Sequence, residues 1–125
     1  MELIKLKHTK TESDIQSHLI REHRALFNDE SKSRLLEMIK SFFPEMRTAY
    51  IIFWLPEESE DIVTLLINNN TIASIEFDRY DTSIEPIVES KPIDRHYIKG
   101  LRRYPQLTIA VAVELANSDL MSHRN

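Results

Sequence analysis

The chain has 125 residues, of which 42% are hydrophobic and 29% charged, and its formal net charge at pH 7 is −4. This size and composition predict one globular domain over residues 1–125, with a buried core. The lack of cysteine excludes disulfides, thiolate nucleophiles and cysteine-ligated metals, and the single Gly100 excludes glycine-rich phosphate-binding loops, which need several glycines.

The first half of the chain predicts a helical hairpin. Thr11 to Phe27 has apolar residues at helical spacing, with Thr11 or Ser13 placed to cap the helix start. A polar break follows, and Ser31 to Phe43 then forms one apolar stripe that Pro44 ends. Two short helices with a brief connection pack against each other in antiparallel fashion.

The middle of the chain predicts an antiparallel sheet. Ala49 to Leu55 is apolar at every position, which is typical of a central strand, and Pro56 ends it. The acidic Glu57 to Asp61 forms the predicted turn. The remaining predicted segments are a strand at Ile62 to Ile67, a turn at Asn68 to Asn70, a strand at Thr71 to Phe77 and a short edge strand at Ile84 to Val88, where Pro86 cannot donate to a ladder.

The last apolar segment, Gln106 to Leu115, fits two structures. Its apolar residues alternate like a strand, but its alanines and Pro105, which suits a first helical turn, favour a helix ending near Asn117. The element order predicts an α+β fold: an N-terminal helical hairpin, a central antiparallel sheet of three to five strands, and a C-terminal helix, or strand, packed on the sheet.

Charge is distributed unevenly. Residues 57–89 hold nine acids and one base, Arg79, for a local net charge of −8, whereas the rest of the chain has a net charge of +4. Such a block can steer a cationic partner, or it can be a solvated loop region; its spacing lacks the pattern of an EF-hand. The candidate partner-binding residues are Glu57, Glu58, Glu60, Asp61, Glu76, Asp78, Tyr80, Asp81 and Glu85.

A basic stretch follows, with Lys91, Arg95, Lys99, Arg102 and Arg103 interleaved with aromatic residues. Arginines and aromatic rings hold single-stranded nucleic acid, so nucleic-acid binding is an alternative function, although the adjacent acids oppose it. A further alternative is that this stretch pairs internally with the acidic segment.

An enzyme is the third alternative. Asp94 is placed to orient His96 as a general base on one side of an extended segment, but no nucleophile accompanies them. We therefore expect no catalytic residue, no metal and no cofactor. The N-terminus lacks the apolar run of a signal peptide, and the longest apolar run, Ala49 to Leu55, is too short to cross a membrane, which predicts a cytoplasmic protein.

In size, acidity and lack of cysteine and catalytic motifs, the chain resembles the small immunity proteins of bacterial toxin systems, including those of contact-dependent growth inhibition. The resemblance implies a non-enzymatic domain that neutralises a basic toxin nuclease by covering its active site or an adjacent surface. It transfers no residue roles, so the acids named above are candidates from local charge alone. The basic stretch departs from a uniformly acidic inhibitor.

Overall fold

The computed structural model describes residues 3–122. This part of the chain forms an α+β fold with N-terminal helices, an antiparallel sheet and a C-terminal helix on the sheet, as predicted. The helices are α1 (Lys10–Asn28), α2 (Ser33–Phe42), α3 (Arg95–Lys99) and α4 (Arg103–Ser122), with a 3-10 turn at Glu30–Lys32 between α1 and α2. The strands are β1 (Ala49–Pro56), β2 (Glu60–Ile67), β3 (Thr71–Asp78) and β4 (Ile87–Pro92).

Helix α1 begins with a reciprocal capping arrangement. Thr9 is the N-cap, and its hydroxyl accepts a hydrogen bond from the backbone N–H of Glu12 at 3.2 Å. The buried Glu12 carboxylate in turn accepts the backbone N–H groups of Lys7 and His8. The predicted caps, Thr11 and Ser13, are therefore wrong. The capping pair is Thr9 and Glu12, and together they accept the backbone N–H groups that are left free at the helix start.

The four strands lie in the sheet in the order β1-β2-β3-β4, and each pair is antiparallel. The predicted asparagine turn between β2 and β3 is confirmed. Asn68 has a φ of 54°, the left-handed conformation that asparagine tolerates. Its side-chain oxygen accepts the N–H groups of Arg47 and Thr48, so the turn also fixes the start of β1.

The prediction of Ala49–Leu55 as a central strand is wrong, because β1 lies at an edge of the sheet. Helices cover both faces of its first half, where all four residues are buried, and α1 also packs along its free edge. There the His23 ring donates from Nδ1 to the carbonyl of Ala49 at 2.9 Å and stacks on Tyr50. A helix thus shields the edge that a second strand was expected to pair with.

The sheet separates two apolar cores. One face, which we call the α2 face, packs against α2 and the end of α1, through residues such as Leu26, Leu35 and Ile39. The other, which we call the α4 face, packs against α1, α3 and α4. The ambiguous C-terminal segment is a helix, as favoured, and it is longer than predicted, since α4 continues past Asn117 to Ser122.

Two predictions near the end of the sheet need correction. The edge strand exists, but it spans Ile87–Pro92 rather than Ile84–Val88, because Asp81 organises a turn that delays the start of β4 until after Pro86. The segment around His96 is helix α3 rather than extended chain, since the Asp94 carboxylate caps it by accepting the N–H of Tyr97 at 2.8 Å.

Candidate protein-binding surface

The two acidic segments emerge at the same end of the sheet, which we call the acidic end. The β1–β2 turn and the end of β3 meet there because β2 and β3 pair in register, with Glu60 opposite Asp78. The backbone N–H of Arg79 extends the pairing by donating to the carbonyl of Ser59 at 2.9 Å. The acids that are separated in sequence therefore form one surface.

Arg79 links these segments. Its guanidinium donates to the Asp61 carboxylate at 2.9 Å and to the backbone carbonyls of Glu57 and Glu60 at 2.9 and 3.1 Å. The hydrogen bond from Arg79 is the main reason why the pKa of the Asp61 carboxyl lies below its usual value. Arg79 is thus engaged within the protein.

Asp61 differs from the other candidate residues because it takes part in hydrogen bonds within the fold. Glu60 and Asp61 are the first residues of β2 rather than members of the turn, and Asp61 is buried against Arg79. This carboxylate is already paired inside the fold, so its first role is to hold the acidic end together. The alternation of the strand explains the difference, since odd-numbered residues of β2 point to the α2 face and Glu60 points to the α4 face.

Glu60 and Glu76 lie side by side on the α4 face. The neighbouring Glu76 carboxyl raises the pKa of Glu60, because it can accept a hydrogen bond from the protonated form and its charge repels the ionised form. Asp78 lies opposite Glu60 on the same face and adds to the repulsion. Among residues 3–122, no base forms an ion pair with any of these three acids. The surface therefore has concentrated negative charge that a cation would stabilise.

The other candidate residues differ in their freedom to bind. Asp78 accepts the N–H groups of Tyr80 and Asp81, and Asp81 accepts the N–H and hydroxyl of Ser83, which lowers the pKa of Asp81. These aspartates shape the loop in addition to carrying charge. Glu57, Glu58 and Glu85 are exposed, and Tyr80 is 75% exposed beside them. These four side chains are accessible to a partner.

The sequence did not reveal an apolar part of the same surface. The strand register aligns two rows across the α4 face that the helices leave largely open, Phe53–Thr64–Ser74–Glu89 and Leu55–Ile62–Glu76–Ile87. We call these rows the open sheet face. Phe53, Leu55 and Ile87 are 37, 54 and 59% exposed. Because β1 is apolar at every position, its sequence does not indicate which residues remain exposed. The β-bulge at Ile52 determines that Phe53 and Leu55 lie on the α4 face.

Lys91 and the bases of α3, Arg95 and Lys99, lie apart from the acidic end. β4 crosses from Ile87 at that end to Pro92 at the other, where the N–H of Ile93 bonds Asn70 in the β2–β3 turn, and α3 follows. In the described part of the chain, no base of this stretch forms an ion pair with an acid of residues 57–89. The alternative of internal pairing between the two charged segments is therefore wrong.

The arrangement around His96 lacks the geometry of a catalytic pair. Asp94, the carboxylate expected to orient the ring, instead accepts the N–H of Tyr97 as the cap of α3, and no hydrogen bond between Asp94 and His96 is present in the described structure. Residues 3–122 also contain no group of three histidine, aspartate or glutamate side chains positioned to hold a metal ion.

None of the helices in the described part of the chain combines the length and apolarity needed to cross a bilayer. Comparison of the chain with protein-family models, with curated proteins and with solved structures gave no match.

Proposed function

We propose that this chain is a non-enzymatic protein-binding module that binds and neutralises a basic protein, namely a toxin nuclease domain, in the manner of a bacterial immunity protein. The main support is that the acidic segments meet at one end of the sheet while Arg79, the base within them, is engaged internally. Eight acids of residues 57–89 are left without a base from that segment. Complementary charge accelerates the encounter with a cationic active site and favours it over other partners.

The accessible groups fit this role. Glu57 and Glu58 project from the β1–β2 turn, and Tyr80 lies in the β3–β4 loop at the same end. An aromatic side chain beside carboxylates supplies contact area that excludes water, while the carboxylates pair with lysines and arginines. The resemblance in size and charge to immunity proteins supports the choice of a nuclease as the partner.

Co-purification tests this proposal. The chain is expressed with an affinity tag together with the protein encoded immediately upstream, since toxin and immunity genes are neighbours. We expect the two proteins to form a complex and the chain to suppress nuclease activity. A variant with Glu57→Lys and Glu58→Lys reverses the charge of the β1–β2 turn and should retain less of the partner. Failure of the wild-type chain to bind, with both proteins folded, would reject the proposed function.

The basic stretch supports a second candidate function. Lys91, Arg95, Lys99, Arg102 and Arg103 are exposed and, within residues 3–122, none of them is ion-paired, which leaves them free to contact phosphates. Fluorescence anisotropy with a labelled single-stranded RNA tests this candidate. Binding that weakens steeply with salt, and that Arg95→Glu with Lys99→Glu abolishes, supports it. The absence of binding at low salt rejects it.

A further inference from the structure

The open sheet face is an uncovered continuation of a buried surface. One row further along the α4 face, Tyr50, Leu66 and Ile72 are buried beneath α1, α3 and α4. The helical layer ends there, and the rows containing Phe53, Leu55 and Ile87 remain open. Single exposed apolar residues are ordinary, but large ones aligned across several strands mark interaction sites.

The open face also has a recess at its margin. A groove of about 200 Å³ lies between α1, α4 and β1, lined by Ile15, Ile52, Phe53 and Tyr104 among others. Tyr104 is itself 59% exposed, so the apolar lining is accessible from solvent. Apolar anchors of binding partners occupy recesses of this kind.

Acids lie within and beside the open face. Glu60, Glu76 and Asp78 border it on β2 and β3, and Glu89 lies at its β4 side. Bases lie at the margin nearest the helices, where Lys91 is opposite Ile72 in the next row and Arg103 precedes Tyr104 of the groove, whereas Lys32 and Arg34 lie on the opposite α2 face. A partner approaching the open face therefore meets apolar side chains with acids among them and bases at the margin nearest the helices.

We infer that the open sheet face is the docking surface for a segment of the partner that combines apolar side chains with lysines or arginines. This inference rests on the proposed function and deepens it, because it names the chemistry of the partner segment and adds an apolar anchor to the acidic loops. A second copy of this chain fits less well, since Glu76 and Glu89 lie within these rows and would be brought close to the same acids of the other copy. The same acids repel phosphate-bearing partners, such as nucleic acid or anionic lipid, from these rows.

The test uses a synthetic amphipathic peptide of leucine and lysine as the probe, with amide chemical shifts of the full chain followed by NMR. We expect saturable shifts at Phe53, Leu55, Ile62 and Ile87. A lysine–serine peptide of equal charge tests the apolar contribution. It should bind at least tenfold more weakly, since about a tenfold change in affinity is what one desolvated anchor residue contributes. A leucine–glutamate peptide tests the charge contribution and should not bind.

Matched variants locate the site. Leu55→Ser with Ile87→Ser should weaken binding of the leucine–lysine peptide by about tenfold, since both anchors are lost. Met121→Ser, which changes an exposed apolar residue on α4, should leave binding unchanged. Because all three positions are exposed, the variants should fold, and circular dichroism checks this.

The outcomes separate the inference from the proposed function. Equal binding of the leucine–lysine and lysine–serine peptides, or shifts confined to the acidic loops, would overturn the apolar docking surface while leaving a charge-based inhibitor intact. Concentration-dependent dimers of the chain, with shifts at the same residues, would identify a second copy as the occupant and also overturn the inference. Loss of complex formation with the upstream protein rejects the proposed function separately.

Discussion

At the scale of single residues, the pair formed by Asp61 and Arg79 shows how charge in this protein divides between structure and surface. The Asp61 carboxylate is buried and accepts two hydrogen bonds from the guanidinium, which also bonds the carbonyls of Glu57 and Glu60. Glu60 points to the other face and has a like-charged neighbour, Glu76, instead of a base. Two consecutive acids therefore do different things: one holds the acidic end together, and the other contributes to its field.

We expect Asp61→Asn to destabilise the fold by about 1–2 kcal/mol, since it weakens charge-assisted hydrogen bonds to a partly exposed guanidinium. Urea denaturation at neutral pH measures the change. Glu58→Gln is the control, because Glu58 is exposed and its side chain makes no hydrogen bond in the described structure, so the change should stay within about 0.5 kcal/mol. Equal effects of the two substitutions would show that the Asp61–Arg79 pair does not hold the acidic end.

The same pair sets a pH dependence. Arg79 lowers the pKa of Asp61 below the ordinary 3.8, so ionisation of this carboxyl favours the folded state. That stabilisation is complete above the ordinary value and is lost as the pH falls through the native pKa. The difference in stability between wild type and Asp61→Asn should therefore be full at neutral pH and shrink in acid. A difference that stays constant through this range would contradict the assignment.

At the scale of elements, local chemistry made most of the fold predictable. Pro44 and Pro56 end a helix and a strand near the expected places, and Asn68 adopts the left-handed turn that asparagine favours. The capping pair of Thr9 and Glu12 was also readable from its spacing, although Thr11 and Ser13 were expected instead. The position of β1 at the edge of the sheet could not be predicted. A run of apolar residues indicates that a strand is buried, but it does not indicate whether a neighbouring strand or a helix buries it.

Asn68 stabilises the β2–β3 turn in two ways. Its side chain bonds the backbone of Glu45, Arg47 and Thr48 while its φ is 54°. We expect Asn68→Ala to lose both contributions and to destabilise the fold by about 2 kcal/mol, and Asn68→Gly to cost less because glycine adopts positive φ freely. Thermal unfolding of the two variants measures the order.

Asn70→Ala is the control for this turn, since Asn70 is exposed and its side chain bonds the adjacent Thr71 hydroxyl. Its effect should be the smallest of the three. If alanine at position 68 were tolerated as well as glycine, neither the conformation nor the side-chain bonds of Asn68 would stabilise the β2–β3 turn.

At the scale of the whole molecule, strand register separates the charges. The acids of residues 57–89 gather at one end of the sheet, whereas Lys91 and α3 lie toward the other end. The excess of acids was evident in the sequence, but whether the two acidic segments meet depends on the pairing of β2 with β3. The open sheet face depends further on a bulge and on where α4 begins, which are tertiary features that no local pattern encodes.

The charge reversal that tests this surface belongs on the β1–β2 turn. Asp78 and Asp81 are unsuitable because their carboxylates form the β3–β4 loop, whereas Glu57 and Glu58 are exposed and their side chains make no hydrogen bonds in the described structure. Reversing them should leave the fold intact, which thermal unfolding checks, and should remove attraction for a cationic partner.

The most direct test is the association rate constant between the chain and the upstream-encoded protein, measured by stopped-flow fluorescence over a range of salt concentrations. We predict that the wild-type rate falls steeply as salt rises, and that Glu57→Lys with Glu58→Lys slows association by about tenfold at low salt and flattens its salt dependence. An association rate that is the same in both proteins and insensitive to salt would contradict docking through the acidic end.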